Sequence, residues 1–174
     1  ITRCLVGSEM CIRDRLQQIC CGFLRTDEEE LVPLKNNRLN ELLDIADEVQ
    51  GKAIIWATWS HDIEMIAEAL RRRFGSEAAA TYYGATPQND RQEIVERFQD
   101  KDSSLRFFIG QPKTGGYGIT LTAANTMIYY SNSYDLEIRL QSEDRAHRIG
   151  QEQNVTYIDP VSYTHLRAHE TACN

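Results

Sequence analysis

The succession of apolar and amphipathic runs limits this chain more than any other feature. From Ala53 onward, AIIWATW is followed by an amphipathic stretch from Ser60 through Phe74, then AAATYY, a second amphipathic stretch from Pro87 through Phe98, and LRFFIG. A glycine-rich loop with a short helix comes next, then TMIYYS, a third helical stretch from about Tyr134 to Arg148, and NVTYID. Short runs rich in β-branched and aromatic residues read as strands, and runs with apolar residues three and four apart read as helices. Strand and helix taking turns imply parallel βαβ units, because a parallel neighbour is reached only through a crossover, and the helices then cover both faces of the sheet. The expected class is α/β, a parallel sheet whose working loops lie at the carboxyl ends of the strands.

Local signals support these boundaries. Ser60 precedes one helix, Thr86 and Pro87 open another, and Gly150 stands where the last one should close. Ahead of them, NRLNELLDIADEVQGK carries Leu39, Leu42, Leu43, Ile45, Ala46 and Val49 at helical spacing with Gly51 at its stop, a lead-in helix packed on the domain. RLQQICCGFL reads as a short helix or strand edge, and the acidic run Asp27 to Glu30 as a solvated turn. A chain of 174 residues, 41% of them hydrophobic, fills one core and not two. No window approaches the roughly 18 uninterrupted apolar residues of a membrane span, and the start has no basic end followed by an apolar run. The expectation is a soluble, cytoplasmic chain with no membrane partner.

A net charge of −7 argues against gripping nucleic acid by bulk electrostatics, so any such contact must be local. Cys4, Cys11, Cys20, Cys21 and Cys173 are odd in number and lack paired CxxC spacing, which indicates neither a zinc site nor a disulfide framework. The opening ITRCLVGSEMCIRDR and the closing VSYTHLRAHETACN show no clear period and no caps. Both resemble peptides translated from sequencing-adapter DNA, which implies non-native, disordered flanks at 1–15 and 161–174 around a single domain at 16–160. His165 and His169, four apart, fall in the second flank, and the glutamate of H-E-x-x-H is missing, so no metal is expected there.

QSEDRAHRIGQ, from Gln141 to Gln151, is the most informative segment. Gln141, Arg145 and Arg148 are spaced four and three apart, which on a helix lines them up on one face. Two guanidiniums held side by side offer planar forks of donors to an oxyanion-rich phosphate, an arginine-finger arrangement. The plain alternative is a solvated charged face salt-bridged through Glu143 and Asp144. Upstream, KTGGYGITLTAANT places Gly115, Gly116 and Gly118 where backbone N–H groups could approach a phosphate. Alone, this loop is equally an ordinary turn, or a dinucleotide fingerprint whose third glycine is replaced by Leu121 and whose acidic partner would be Asp135.

The segment from Gln141 resembles motif VI of superfamily 2 helicases in the Swi/Snf-type form, Q-x-x-D-R-x-x-R-x-G-Q. Gln141, Asp144, Arg145, His147, Arg148, Ile149, Gly150 and Gln151 all agree with it. GGYGITLTAA resembles motif V, AIIWATWSHDIEMIAEAL resembles motif IV, and YYGATPQNDRQEIVERF resembles the segment after it, with Gly84 and Arg91. The resemblance covers Leu16 to Asp159 and implies a RecA-like lobe, the second of two, in a DNA translocase of the bacterial or phage kind. It implies Arg145 and Arg148 as arginine fingers, and Gln141, Asp144, Gly116 and Gly118 at ATP. It also implies contacts to the backbone of double-stranded DNA from Gly84 and Arg91. The usual Ser-Thr pair of motif V is replaced by Gln111 and Pro112, so Lys113 and Thr114 stand in as its DNA contacts; Asn is common where Thr120 stands.

The phosphate-cradling G-x-x-x-x-G-K-[ST] and an acidic pair for Mg²⁺ are absent from this sequence. Gly51-Lys52 is followed by Ala53, and Asp47-Glu48 lies in the lead-in helix. ATP and Mg²⁺ are therefore expected mainly on a missing N-terminal RecA-like lobe, and the isolated chain is expected to be inactive. Trp56 and Trp59 are read as packing, and Arg71, Arg72 and Arg73 as either a DNA-facing patch or cations suited to a helix C-terminus. A module that binds DNA or a partner without turnover, and a dinucleotide-binding oxidoreductase, are the two other functional classes.

Overall fold

Five parallel strands form the sheet that organises the molecule. The computed structural model describes residues 8–26, 28, 30–35, 37–115, 118–132, 135–151 and 153–160. In chain order the elements are α1 (Ser8–Cys21), β1 (Phe23–Arg25), β2 (Leu31–Pro33), α2 (Arg38–Glu48), β3 (Lys52–Trp56), α3 (Ser60–Phe74) and β4 (Ala79–Tyr82). Then follow α4 (Gln88–Gln99), β5 (Phe107–Gly110), α5 (Pro112–Gly115), β6 (Ala124–Tyr129), α6 (Leu136–Glu143) and β7 (Thr156–Ile158). The main sheet has the order β4-β5-β3-β6-β7, while β1 and β2 form a separate antiparallel pair.

That order fixes which face each crossover takes. The step from β3 to β4 runs one way across the sheet, and the later steps to β5, β6 and β7 run the other way. Right-handed crossovers then put α3 on one face and α4, the 111–123 connection and α6 on the opposite one. The two apolar clusters follow this division. Ile55, Ile63, Ile66, Leu70, Phe107 and Ile128 pack on the α3 side, joined by Leu42 and Ala46 of α2. Ile54, Trp56, Phe98, Phe108, Leu121, Met127 and Tyr129 pack on the α4 side. β3 is buried along its whole length, as a central parallel strand covered on both faces must be.

Close approach matters at Gly110, where an added Cβ would lie 2.7 Å from the Trp56 ring. Lys52 closes the end of α4 from across the sheet: its Nζ donates to the carbonyls of Phe98 at 2.8 Å and Asp100 at 2.7 Å. These are carbonyls that a helix C-terminus leaves without intrahelical partners.

Several expectations are corrected. α1 reaches back to Ser8, so 8–15 are helical here rather than outside the ordered body. The N-cap of α3 is Trp59, with Ser60 already inside the helix, and Pro87 caps α4 without a side-chain bond. Thr86 instead ties the turn before α4, accepting from Tyr83 N and donating to Thr81 O. α6 ends at Glu143 rather than near Arg148, because Asp144 closes it and Arg145 N turns back to Ser142 O. Gly150 therefore sits in a later turn, with φ of 104°. Trp56 is fully buried and Trp59 packs edge-on to Phe23, as packing residues. Residues 161–174, with His165, His169 and Cys173, lie outside the described residues. No helix among the described residues is long and apolar enough to cross a membrane.

Candidate functional site

The connection from β5 to β6 travels the length of the sheet. Gln111 leaves the carboxyl end of β5, where its side-chain amide donates to Thr58 O at 2.9 Å. Ala124, at the other end of the connection, pairs in register with Lys52, the first residue of β3. Residues 119–124 therefore lie at the amino-terminal edge of the sheet, beside the C-terminus of α4. The segment after α6 arrives at the same edge, because α6 also runs back from the carboxyl end.

Arg145 and Arg148 both dock on this stretch. Leu121 N donates to Arg145 O at 2.8 Å, and Arg145 Nη1 donates to Ile119 O at 3.5 Å. Arg148 Nη1 donates to Thr120 Oγ1 at 3.0 Å. Arg145 is 8% exposed, whereas Arg148 is open to solvent. Burial, and then the charge of Arg148, push the Arg145 guanidinium below its usual range, and Asp144 opposes them. Two cations thus share one neighbourhood where a further anion would relieve their repulsion.

Both the helical face and the carboxyl-end rim expected for these arginines are corrected. Arg145 and Arg148 sit in turns beyond α6, and they gather at the amino-terminal edge, because the crossover after β6 must end where β7 begins. Salt-bridging of the pair through Glu143 is corrected too: Glu143 pairs with Arg139 at 2.6 Å. Gln141 points along α6, its amide donating to Glu137 at 2.9 Å. Asp144 is exposed, Gly118 has φ of 78° with open space around it, and Gly116 lies outside the described residues.

The candidate DNA residues occupy the opposite edge. Arg91 donates to the carbonyls of Thr86 at 3.1 Å, Tyr83 at 3.2 Å and Gly84 at 3.4 Å, so its guanidinium braces the loop that exposes Gly84. Lys113 is exposed on α5, and the Thr114 hydroxyl donates to Gln111 Oε1 at 3.2 Å. A groove of about 1080 Å³ runs along α4 between the two groups, bordered by Arg91, Gln92 and Gln99 on one side and Thr114, Gly118 and Thr120 on the other.

Three residues that carry much of this geometry have no role assigned to them by the sequence. Gln99 donates to Thr120 O at 2.7 Å and accepts from Ala123 N at 2.9 Å. Gln151 donates to Thr122 O at 3.1 Å, Ala124 O at 2.8 Å and Ala146 O at 3.2 Å. Arg139 joins α6 to Asp159 at 2.7 Å while lying over the Tyr129 ring, and its bonds to Asp159 and Glu143 outweigh burial to raise its pKa. None of these forms a local pattern; only the Gln151 position was visible, as the last letter of a motif. The arginine run on α3 stays exposed, but each member is engaged within the chain: Arg72 pairs with Glu68, Arg73 with Asp47, and Arg71 donates to Ala79 O at 3.0 Å. Asp135 caps α6, accepting from Glu137 N and Ile138 N, and Leu121 is fully buried. The acidic partner that suggested a dinucleotide site is thus a helix cap, and a core residue fills the position of the missing third glycine.

Comparison with known proteins agrees with the sheet. The family described as helicase conserved C-terminal domain matches residues 34–150. The ATP-dependent helicase FUN30 of Saccharomyces cerevisiae is 31% identical over 91% of this chain, and the ATP-dependent helicase fft3 of Schizosaccharomyces pombe is 30% identical over 81%. The chain spans only 15% and 16% of those two proteins' lengths. The human SWI/SNF-related regulator of chromatin subfamily A member 1 is 40% identical over a shorter stretch, 41% of this chain and 7% of that protein. A crystal structure of the C-terminal part of the Fun30 ATPase domain superposes with a TM-score of 0.63 at 30% identity, covering 74% of this chain and 41% of that one. With its parallel RecA-like sheet and its paired arginines at the turn after α6, the chain belongs to the helicase C-terminal domain family, in the Swi/Snf-type branch of superfamily 2.

Proposed function

We propose that this domain is the second motor lobe of an ATP-dependent double-stranded DNA translocase, and that Arg145 and Arg148 complete an ATPase site whose remainder lies on a companion N-terminal RecA-like lobe. The observation that carries this reading is the convergence of both guanidiniums on the adjacent residues Ile119 and Thr120, with Arg148 engaged by a neutral hydroxyl. A neutral partner leaves its charge available to an incoming phosphate. In phosphoryl transfer, a guanidinium so supplied offsets charge on the transferring group and raises the rate about 10³- to 10⁵-fold.

Arg148, open to solvent, is the fork that reaches the terminal phosphate; Arg145 adds its charge from beneath. Asp144, Gln141, Gly116 and Gly118 are assigned to the nucleotide in the same reading. ATP supplies the phosphates. Mg²⁺ is assigned to the companion lobe, with the acidic pair that would hold it. At the carboxyl edge, Lys113, Thr114 and the loop at Gly84 contact the DNA backbone, and Arg91 acts by shaping that loop. With few contacts and an acidic chain, binding falls with salt.

The test is DNA-stimulated ATP hydrolysis by the complete protein that contains this lobe, comparing the native form with Arg145→Ala/Arg148→Ala. A loss of about 10³-fold or more in kcat, with duplex DNA binding retained, supports the reading. Unchanged kcat overturns it and leaves a DNA- or partner-binding module.

A further inference from the structure

We infer that Gln99 and Thr120 are positioning residues for the arginine pair, and that α4, which carries neither arginine, sets the geometry of the fingers. The inference rests on the reading above. Gln99 is the last residue of α4, and its amide engages residues 120–123 from both sides. It donates to Thr120 O at 2.7 Å and to Thr122 Oγ1 at 3.5 Å, and accepts from Ala123 N at 2.9 Å. Gln151 grips the same stretch from the opposite side through Thr122 O and Ala124 O. Leu121, between them, is buried in the core. The backbone of 120–124 is thereby fixed by two primary amides and one apolar anchor, and Thr120 is held with its hydroxyl toward Arg148.

This contact orients Arg148 rather than neutralising it. A guanidinium carries five N–H donors, and the Thr120 hydroxyl takes one of them. Among the described residues no carboxylate pairs with Arg148. A carboxylate partner would hold the fork bidentately and cancel its charge. A hydroxyl fixes one edge and leaves the rest for an oxyanion. α4 is in turn secured by Lys52, whose Nζ donates to Phe98 O and Asp100 O on either side of Gln99. The chain of bonds from β3 to Arg148 therefore runs through Lys52, the end of α4, Gln99 and Thr120. Of its members only Thr120 and Arg148 fall in segments that read as motifs. A flexible arginine would lose side-chain freedom each time it met a phosphate, and this scaffold removes part of that cost beforehand.

The experiment uses this chain, with inorganic tripolyphosphate as the probe and arginine side-chain ¹⁵N–¹H NMR as the readout. The forms compared are native, Thr120→Val, Thr120→Ser, Gln99→Met and Arg145→Ala/Arg148→Ala, each checked by thermal melting. In the native chain the Arg148 Nη protons are expected to be resolved, slowed in rotation, and shifted on titration. Thr120→Val should average those signals and weaken tripolyphosphate binding about tenfold, the size of one hydrogen bond to a charged group, while Thr120→Ser restores both. Gln99→Met should act in the same direction as Thr120→Val. If Thr120→Val keeps native Arg148 signals and native affinity, the positioning role is overturned even though the double arginine variant loses binding. If the double arginine variant binds as the native chain does, or the native chain binds nothing, the arginine reading itself is overturned and the positioning role goes with it.

Discussion

The carbonyl oxygen of Arg145 accepts the amide proton of Leu121 at 2.8 Å, and this bond stitches the turn after α6 to the connection that began at the carboxyl end of β5. Leu121 is buried beneath it, so the main chain at Arg145 is anchored in the core while its side chain lies at the edge of the sheet. The same connection carries Lys113 and Thr114 at its other end. Candidate DNA contacts and candidate nucleotide contacts are thus joined by one continuous stretch of chain.

The two arginines should separate in their effect on stability. Arg145 is 8% exposed and packed against the 119–121 stretch, whereas Arg148 is exposed. Arg148→Ala is expected to leave the melting temperature nearly unchanged, within the ±0.5 kcal/mol or so usual for surface changes. Arg145→Ala should cost about 1–3 kcal/mol through lost packing and hydrogen bonding. Denaturant melts of the two variants check this; equal losses would contradict it.

Asp62 gives the domain a pH dependence. It is fully buried in α3, and burial lifts its pKa from 3.8 to about 7, against the opposing effects of the neighbouring Cys21 thiol and the Arg38 charge. A pKa raised on folding means the native state holds the proton more tightly. The contribution is full below the unfolded value near 4 and is lost as pH rises to about 7. The span is on the order of 4 kcal/mol. Asp62→Asn should flatten the decline and make the domain more stable than the native form at pH 8; urea melts at pH 5 and pH 8 measure both.

Gly110→Ala should destabilise strongly for a residue so small. The new methyl would stand 2.7 Å from the Trp56 ring, which is itself fully buried and cannot swing away. Overpacking of this kind costs about 1–3 kcal/mol. Adding Trp56→Leu should recover part of the loss, a non-additivity that a double-mutant cycle of melting free energies would record.

Lys52→Met keeps the aliphatic stem and removes the donor that closes α4. Two buried or half-buried carbonyls lose their partner, a cost of about 1–3 kcal/mol for a desolvated acceptor left unmade. Amide hydrogen exchange should show the loss first in the last turn of α4. Uniform change across the domain would contradict the capping role.

What could be read from the sequence was whatever repeats locally. The run from Ser60 to Phe74 is a helix over those very residues, and each expected strand is present with its ends shifted by a few residues, because helical periodicity and short apolar runs leave a local record. Arg145 and Arg148 were visible as a motif but misplaced on a helix, since nothing in the spacing reveals that Asp144 closes α6 and that Arg145 N turns to Ser142 O. The edge of the sheet was also misjudged: the carboxyl-end rule describes loops that leave strands, and these arginines lie on a segment about to enter one. Lys52 reads in the sequence only as part of a false phosphate loop, because its partners stand 46 and 48 positions away. Gln99 acts on residues 21 to 24 positions away and Arg139 on Asp159, 20 positions away, contacts that no local pattern encodes.

The most direct test of the arginine assignment is a structure of the complete motor, both lobes present, with duplex DNA, ADP and a fluoride mimic of the transferring phosphate. The expected result places the Arg148 guanidinium within about 3 Å of the mimic, with Arg145 beside it. A closed complex in which neither guanidinium approaches the nucleotide would contradict the assignment.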